Sequence, residues 1–226
     1  MVAPDLVSEE DIAKLIMSDN LPNDELSFKA YIEAEVYNKD GRLIQYHKQP
    51  MRSLTQYFLG LIAVLIIGTY QNPSTYNAQS ILVNLLGLPS QQSTVSGFSA
   101  NIVWDWSIQL GSGTQSFSPS LTALAAPITN GTAAGQLLYG TESVSYDGSS
   151  IYVSLQVTNT TSSAVTVTEI GLQSTIYIQY QTPCCGASSY TNAKYNFLLS
   201  YDTFSTPVTV PAYGMAVFQI TLTFTG

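Results

Sequence analysis

Apolar and polar residues alternate at a spacing of two along much of this chain, and that period predicts strands with one buried face. Phe28, Ala30, Ile32, Ala34 and Val36 share one face of such a segment, with Lys29, Glu33 and Glu35 on the other. Asn38-Lys39-Asp40-Gly41 reads as a tight turn, and Arg42 to His47 returns as the second arm of a hairpin over 28–47. Trp104, Trp106 and Ile108 alternate with Asp105, Ser107 and Gln109 until Gly111 and Gly113 break the ladder. Ile151, Val153, Leu155 and Val157 repeat the pattern, a turn follows at Asn159-Thr-Thr-Ser-Ser, and Val165 to Ile178 and Phe197 to Phe204 continue it. The last strand is the clearest, with Phe218, Ile220, Leu222 and Phe224 facing one way and Gln219, Thr221 and Thr223 the other. Strands of this kind between turn residues predict a mainly β protein, an antiparallel β-sandwich that is jelly-roll-like.

Three stretches carry the helical period instead. Val7 to Asn20 opens with Ser8 as N-cap, Glu9 and Glu10 in the first turn, and a narrow stripe of Ile12, Leu15 and Ile16. This predicts a short N-terminal helix in an arm over 1–27, leaving 28–226 as the β-sandwich domain. Ser53-Leu-Thr-Gln56 has the form of a capping box and opens the most apolar run in the chain, which predicts a buried helix over 54–67. Its strongly apolar part is short of the roughly 20 residues that a bilayer core needs, so membrane contact by 54–70 is not favoured. Ser80 to Leu88 is a shorter apolar piece of uncertain placement. After Pro119, Leu121, Leu124 and Ala125 have a weak helical spacing that ends at Pro127, as in a short docking segment.

Charge changes the picture of the surface. The formal net charge is -8, and six of the seven basic residues lie before Ser53, leaving Lys194 alone after it. Nucleic acid is therefore excluded as a partner, because a phosphate backbone is held chiefly by Lys and Arg. The surface from Ser53 onward must be made of Ser, Thr, Asn, Gln and Tyr, a composition suited to secreted, adhesive or virion-exposed proteins. The first residues have no basic segment followed by an apolar one, which argues against a signal peptide and for a particle assembled inside a cell. Asn130-Gly-Thr and Asn159-Thr-Thr are candidate glycosylation sequons.

Candidate chemistry is sparse. Gly111-Ser-Gly113-Thr has no following Lys, so it reads as a turn between strands instead of a phosphate loop. His47 is the only histidine and has no assignable nucleophile, which leaves no catalytic dyad. The adjacent Cys184 and Cys185 can form only a strained ring, stay free, or bridge to another subunit; with one histidine in the chain they make no zinc site. Asp105, Glu142, Asp147, Glu169 and Asp202 are scattered carboxylates whose spacing supports no glycosidase pair. Glu169 shares the face of Val165 and Val167 unless a bulge at Gly171 alters the register, so it needs backbone or hydroxyl donors and becomes a candidate structural anchor. Trp104 and Trp106 could stack on a host glycan, although filling the core is the simpler reading. No catalytic residue, metal or cofactor is expected.

Three pieces in fixed order carry a resemblance. They are VYNKDGRLIQYHKQPMRSLTQYFLGLI, then IQLGSGTQSFSPSLTALAAPI, then TVTEIGL followed by LLSYDTFSTPVTVPAYGMAVFQITLTF. Together they resemble small β-sandwich virion structural proteins, of the tail, adaptor or vertex (turret) type, of tailed phages and of viruses of thermophilic archaea. The chain departs from that pattern in its apolar insertion after Gly68, its Pro183-Cys-Cys-Gly186 loop and its low charge. The resemblance implies a non-enzymatic virion subunit whose partners are copies of itself and other virion proteins. The alternatives are a receptor-binding adhesin for cell-surface glycans and a cellular surface-filament subunit.

Overall fold

The computed structural model describes the backbone of residues 27–60, 103–184 and 187–225, and the side chains over 28–60, 106–175 and 196–224. Eight strands are present among them: β1 (Ser27–Tyr37), β2 (Leu43–Pro50), β3 (Val103–Gly111), β4 (Leu138–Tyr146), β5 (Ser150–Thr158), β6 (Val165–Cys184), β7 (Ala187–Val210) and β8 (Met215–Thr225). They form two antiparallel sheets, a five-stranded one in the order β2-β1-β8-β5-β4 and a three-stranded one in the order β3-β6-β7. Every pairing between these eight strands is antiparallel.

The alternating residues place the core. Ile32, Ala34 and Val36 of β1, Phe218 and Ile220 of β8, and Val153, Leu155 and Val157 of β5 are buried from the larger sheet. Ile108 and Leu110 of β3, Val167, Ile170 and Leu172 of β6, and Leu199, Val208 and Val210 of β7 meet them from the smaller one in a single apolar cluster. The two sheets thus face each other across one core, the arrangement of a β-sandwich. The hairpin expected at 28–47 forms, with Asn38 Oδ1 accepting from Asp40 N and Arg42 N and Gly41 at a φ of 75°. Its second arm runs on to Pro50.

Parts of both edges of the smaller sheet are covered by devices other than strands. Along β7, Tyr201 N donates to Ser53 O and Thr55 N donates to Leu199 O. Further on, Gln49 accepts from Ser205 N and donates to Thr203 O, and Gln45 accepts from Thr209 N and donates to Pro207 O. A glutamine amide carries the donor and acceptor of a peptide group, so two side chains from β2 stand in for the missing ladder. Along β3, Ile128 N donates to Leu110 O and Ser112 N to Ala126 O, while Ile108 N donates to Glu142 Oε1 at 2.7 Å. Burying these edges leaves their backbone groups bonded, which is the condition for closing a small sheet against a core.

Several expectations change. The capping box at Ser53 and Gln56 does not form, because Gln56 N, the donor that the Ser53 hydroxyl would accept from, is bonded to Pro119 O. Residues 56–60 are helical, and Phe58 N bonds to Thr55 O; the rest of the helix expected over 54–67 lies outside the described residues, as do the N-terminal helix and the apolar piece at 80–88. Among the described residues no helix is long and apolar enough to cross a membrane. The 112–128 stretch is an irregular strap with no helical turn at Leu121–Ala125. Strand β4 had no alternation to announce it, since most of its residues are exposed at the sheet edge.

Asn159 departs most from its sequence reading. It is fully buried; its Nδ2 donates to the carbonyls of Ser163, Val210 and Pro211, and its Oδ1 accepts from Thr161 N and Oγ1. The amide nitrogen that a glycan would need is committed, so Asn159 is a turn clamp and not a glycosylation site in the folded protein. Replacing it with Ala strands several buried carbonyls, and the expected loss is about 2–3 kcal/mol in a urea titration. A loss near zero would show that water takes over those bonds.

Candidate functional site

Gly111, Gly113, Glu169 and Gly171, four of the residues singled out in the sequence, converge where the strap lies across β3 and β6. Glu169 is fully buried, and its carboxylate accepts from Ala125 N (3.1 Å, Oε2) and Ala126 N (2.8 Å, Oε1). Two successive peptide N–H groups on one carboxylate hold the strap at a fixed distance from β6. Gly111 pairs directly with Glu169 in the β3–β6 ladder. A Cβ at Gly111 would overlap the Glu169 carboxylate, with Cγ at 2.6 Å. The side chain can therefore cross β3 only where β3 has no side chain of its own.

Two more glycines serve the same approach. A Cβ at Gly113 would lie 2.9 Å from Ala125 Cβ and from Ala126 N, and one at Gly171 would lie 2.6 Å from Leu198 Cδ1 and 2.9 Å from Ser200 O. Thr168 Oγ1 donates to Gly113 O at 2.6 Å, adding a tie from the same strand. Below the strap, Leu124 packs with Leu198 and Tyr201 in a small apolar cluster on the outer face of the smaller sheet, with Leu121 against it. The Tyr201 hydroxyl accepts from Gln115 N and donates to Gln115 O. Burial raises the Tyr201 phenol above its ordinary value, helped by the neighbouring Glu169 carboxylate.

Sequence reading missed Leu198 and Tyr201. A bulge explains why: Leu172 pairs with Ser200 but Gln173 pairs with Leu198, so the pairing skips Leu199. Leu199 enters the main core while Leu198 and Tyr201 face the strap. Register shifts occur on both sides of the Glu169 to Leu172 run, between Val167 and Glu169 and between Leu172 and Gln173, and neither falls at Gly171.

The remaining candidates lie apart. Trp106 is half-buried against the main core; for Trp104 only the backbone is described, paired with Ile176. Asn130 is exposed, and its Oδ1 accepts from Tyr139 N. Cys184 ends β6 opposite Ala187, and Cys185 lies outside the described residues. The described carboxylates do not meet: Glu142 binds Ile108 N, Asp202 binds Arg52 N and Thr203 N, and Asp147 closes the β4–β5 turn. Among the described residues no three His, Cys, Asp or Glu side chains are grouped to hold a metal. Tyr139 donates to Ile128 O, and burial pushes its phenol up to about 12.

Among the described carboxylates Asp147 has a clearly displaced acid. Tyr152 donates to its Oδ2 at 2.6 Å, and Ser149 N and Ser150 N donate to its Oδ1. The Tyr152 hydroxyl first, and then these backbone donors, lower its pKa to about 2. A depressed acid supports the turn above its unfolded pKa and loses that support as pH falls through the folded one. The amide signals of Ser149 and Ser150 should therefore titrate with a midpoint near pH 2; a midpoint near the ordinary value of 3.8 would show that the bonds are not held in solution.

Glu169 thus ties the strap to β6 through two fixed peptide donors. No protein family matches this chain, and neither a curated protein nor a solved structure does.

Proposed function

We propose that this protein is a structural subunit of a virus particle, a tail, adaptor or vertex component, that acts by symmetric assembly. Its jelly-roll-like domain would be displayed on the particle, with the arm over 1–27 and the apolar stretch after Ser53 contacting neighbouring subunits. The observation that carries the reading is that the three sequence pieces bearing the resemblance are the pieces that close the sandwich. Gln45, Gln49, Ser53 and Thr55 of the first piece bond to Leu199–Thr209 of the third. The glycines and the Ala125–Ala126 peptides of the second bond to or pack on the Thr168–Gly171 run of the third. The order of pieces thus has a physical cause in one closed unit with a neutral, hydroxyl-rich exterior. Carbohydrate contact by the Trp pair is the weaker reading, because Trp106 packs on the core.

Antibodies raised against the protein are expected to label particles released from the cells that make it. Label restricted to the envelope or to surface filaments of those cells would overturn the proposal in favour of a cellular role.

A further inference from the structure

Among the described residues the larger sheet keeps an unpaired edge along the second half of β4. Two bonds fix which way its backbone points. Asp147 N donates to Ser150 O across the turn, and Phe224 N donates to Ser149 O from β8. Hydrogen bonding alternates along an antiparallel ladder, so Ile151 and Val153 bond to β8, and the residues opposite them in β4 point away from β5. Those residues are Tyr146 and Val144. Their N–H and C=O groups meet no partner among the described residues, and their side chains are 69% and 57% exposed.

The stretch differs from the rest of its own strand and from the far end of β2. The first residues of β4 are covered, since Gly131 N donates to Leu137 O and Asn130 accepts from Tyr139 N. Strand β2, the opposite edge of the same sheet, carries Lys48 and ends in Pro50, two residues that discourage strand addition. Ser143 to Tyr146 contains neither a charge nor a proline.

We infer that this edge is a pairing site for a second copy of the chain. The fit is self-complementary: with a two-fold axis at Ser145, Val144 lies opposite Tyr146 of the partner subunit, and the outward groups of both strands form four N–H···O bonds. Val144 and Tyr146 share the face of Val153 and Ile151, so each exposed apolar side chain gains a β-branched–aromatic cross-strand neighbour. The joined sheet has ten strands and no open β4 edge. The contact is small, so the dimer dissociates on dilution. The inference takes its partner from the assembly reading.

Analytical ultracentrifugation of the full chain over about three decades of concentration tests it, together with hydrogen exchange at both ends of the range. The apparent mass is expected to double, the Val144 and Tyr146 amides to slow at least tenfold at the concentrated end, and Val144→Lys to abolish both effects with its circular dichroism unchanged. A monomer throughout overturns the pairing. So does a dimer that Val144→Lys leaves intact, and so do amides already protected at the dilute end, which would mean that the chain covers its own edge. None of these results touches the labelling of particles, which tests the assembly reading separately.

Discussion

Glu169→Ala is expected to destabilise the fold by about 3–5 kcal/mol, because it leaves two partly buried N–H groups, those of Ala125 and Ala126, without their charged acceptor. For a chain of this length such a loss lowers the melting temperature by about 10 °C or more. Its mechanism predicts a specific coupling with Gly111. Gly111→Ala alone should cost about 1–3 kcal/mol, since the three heavy atoms nearest to its Cβ all belong to the Glu169 side chain. In a Glu169→Ala background those closest contacts are gone, so the second substitution should add much less. Urea titrations of the wild type, both single variants and the double variant give the coupling; strictly additive losses would remove Gly111 from the anchor. Glu169→Gln keeps the shape but points an amide N–H at one of the two peptide donors, and belongs between wild type and Glu169→Ala.

Phe218→Ala is expected to cost about 3–5 kcal/mol through the cavity it opens. Phe218 is fully buried in β8, the central strand of the larger sheet, opposite Ala34 of β1 and Leu155 of β5. Its ring lies 6.0 Å from that of Phe204, which reaches the core from the smaller sheet. No surface loop can collapse into that position. Phe224, on the same face of the same strand, sits half-buried at the rim against Phe28, and Phe224→Ala should cost roughly half as much. Equal losses in thermal unfolding would mean that the sheet interior is less closely packed than the structure shows.

The residues of β8 and β1 could be assigned from the chain alone because burial on a two-residue period is a local property: Ile220 and Ile32 face inward whichever strand lies beside them. The anchor was half legible. Glu169 stood out as a carboxylate on an apolar face, and two close glycines marked a corner, but nothing local says that the donors come from peptides more than forty residues away. Asn159 misled because a sequon is defined by three neighbouring residues, whereas its burial depends on carbonyls about fifty residues on, at Val210 and Pro211.

Edges were the least legible part. Whether a strand lies at an edge depends on its neighbours, so β4 showed no pattern, and nothing local marks Gln45 and Gln49 as partners of β7. The amino-acid sequence by itself determined most of the strands, their inward faces and the neutral exterior, since side-chain polarity and backbone preference act residue by residue. Only the tertiary structure decided which strand edges are covered, because an unpaired peptide group is satisfied or left bare by whatever the fold brings next to it.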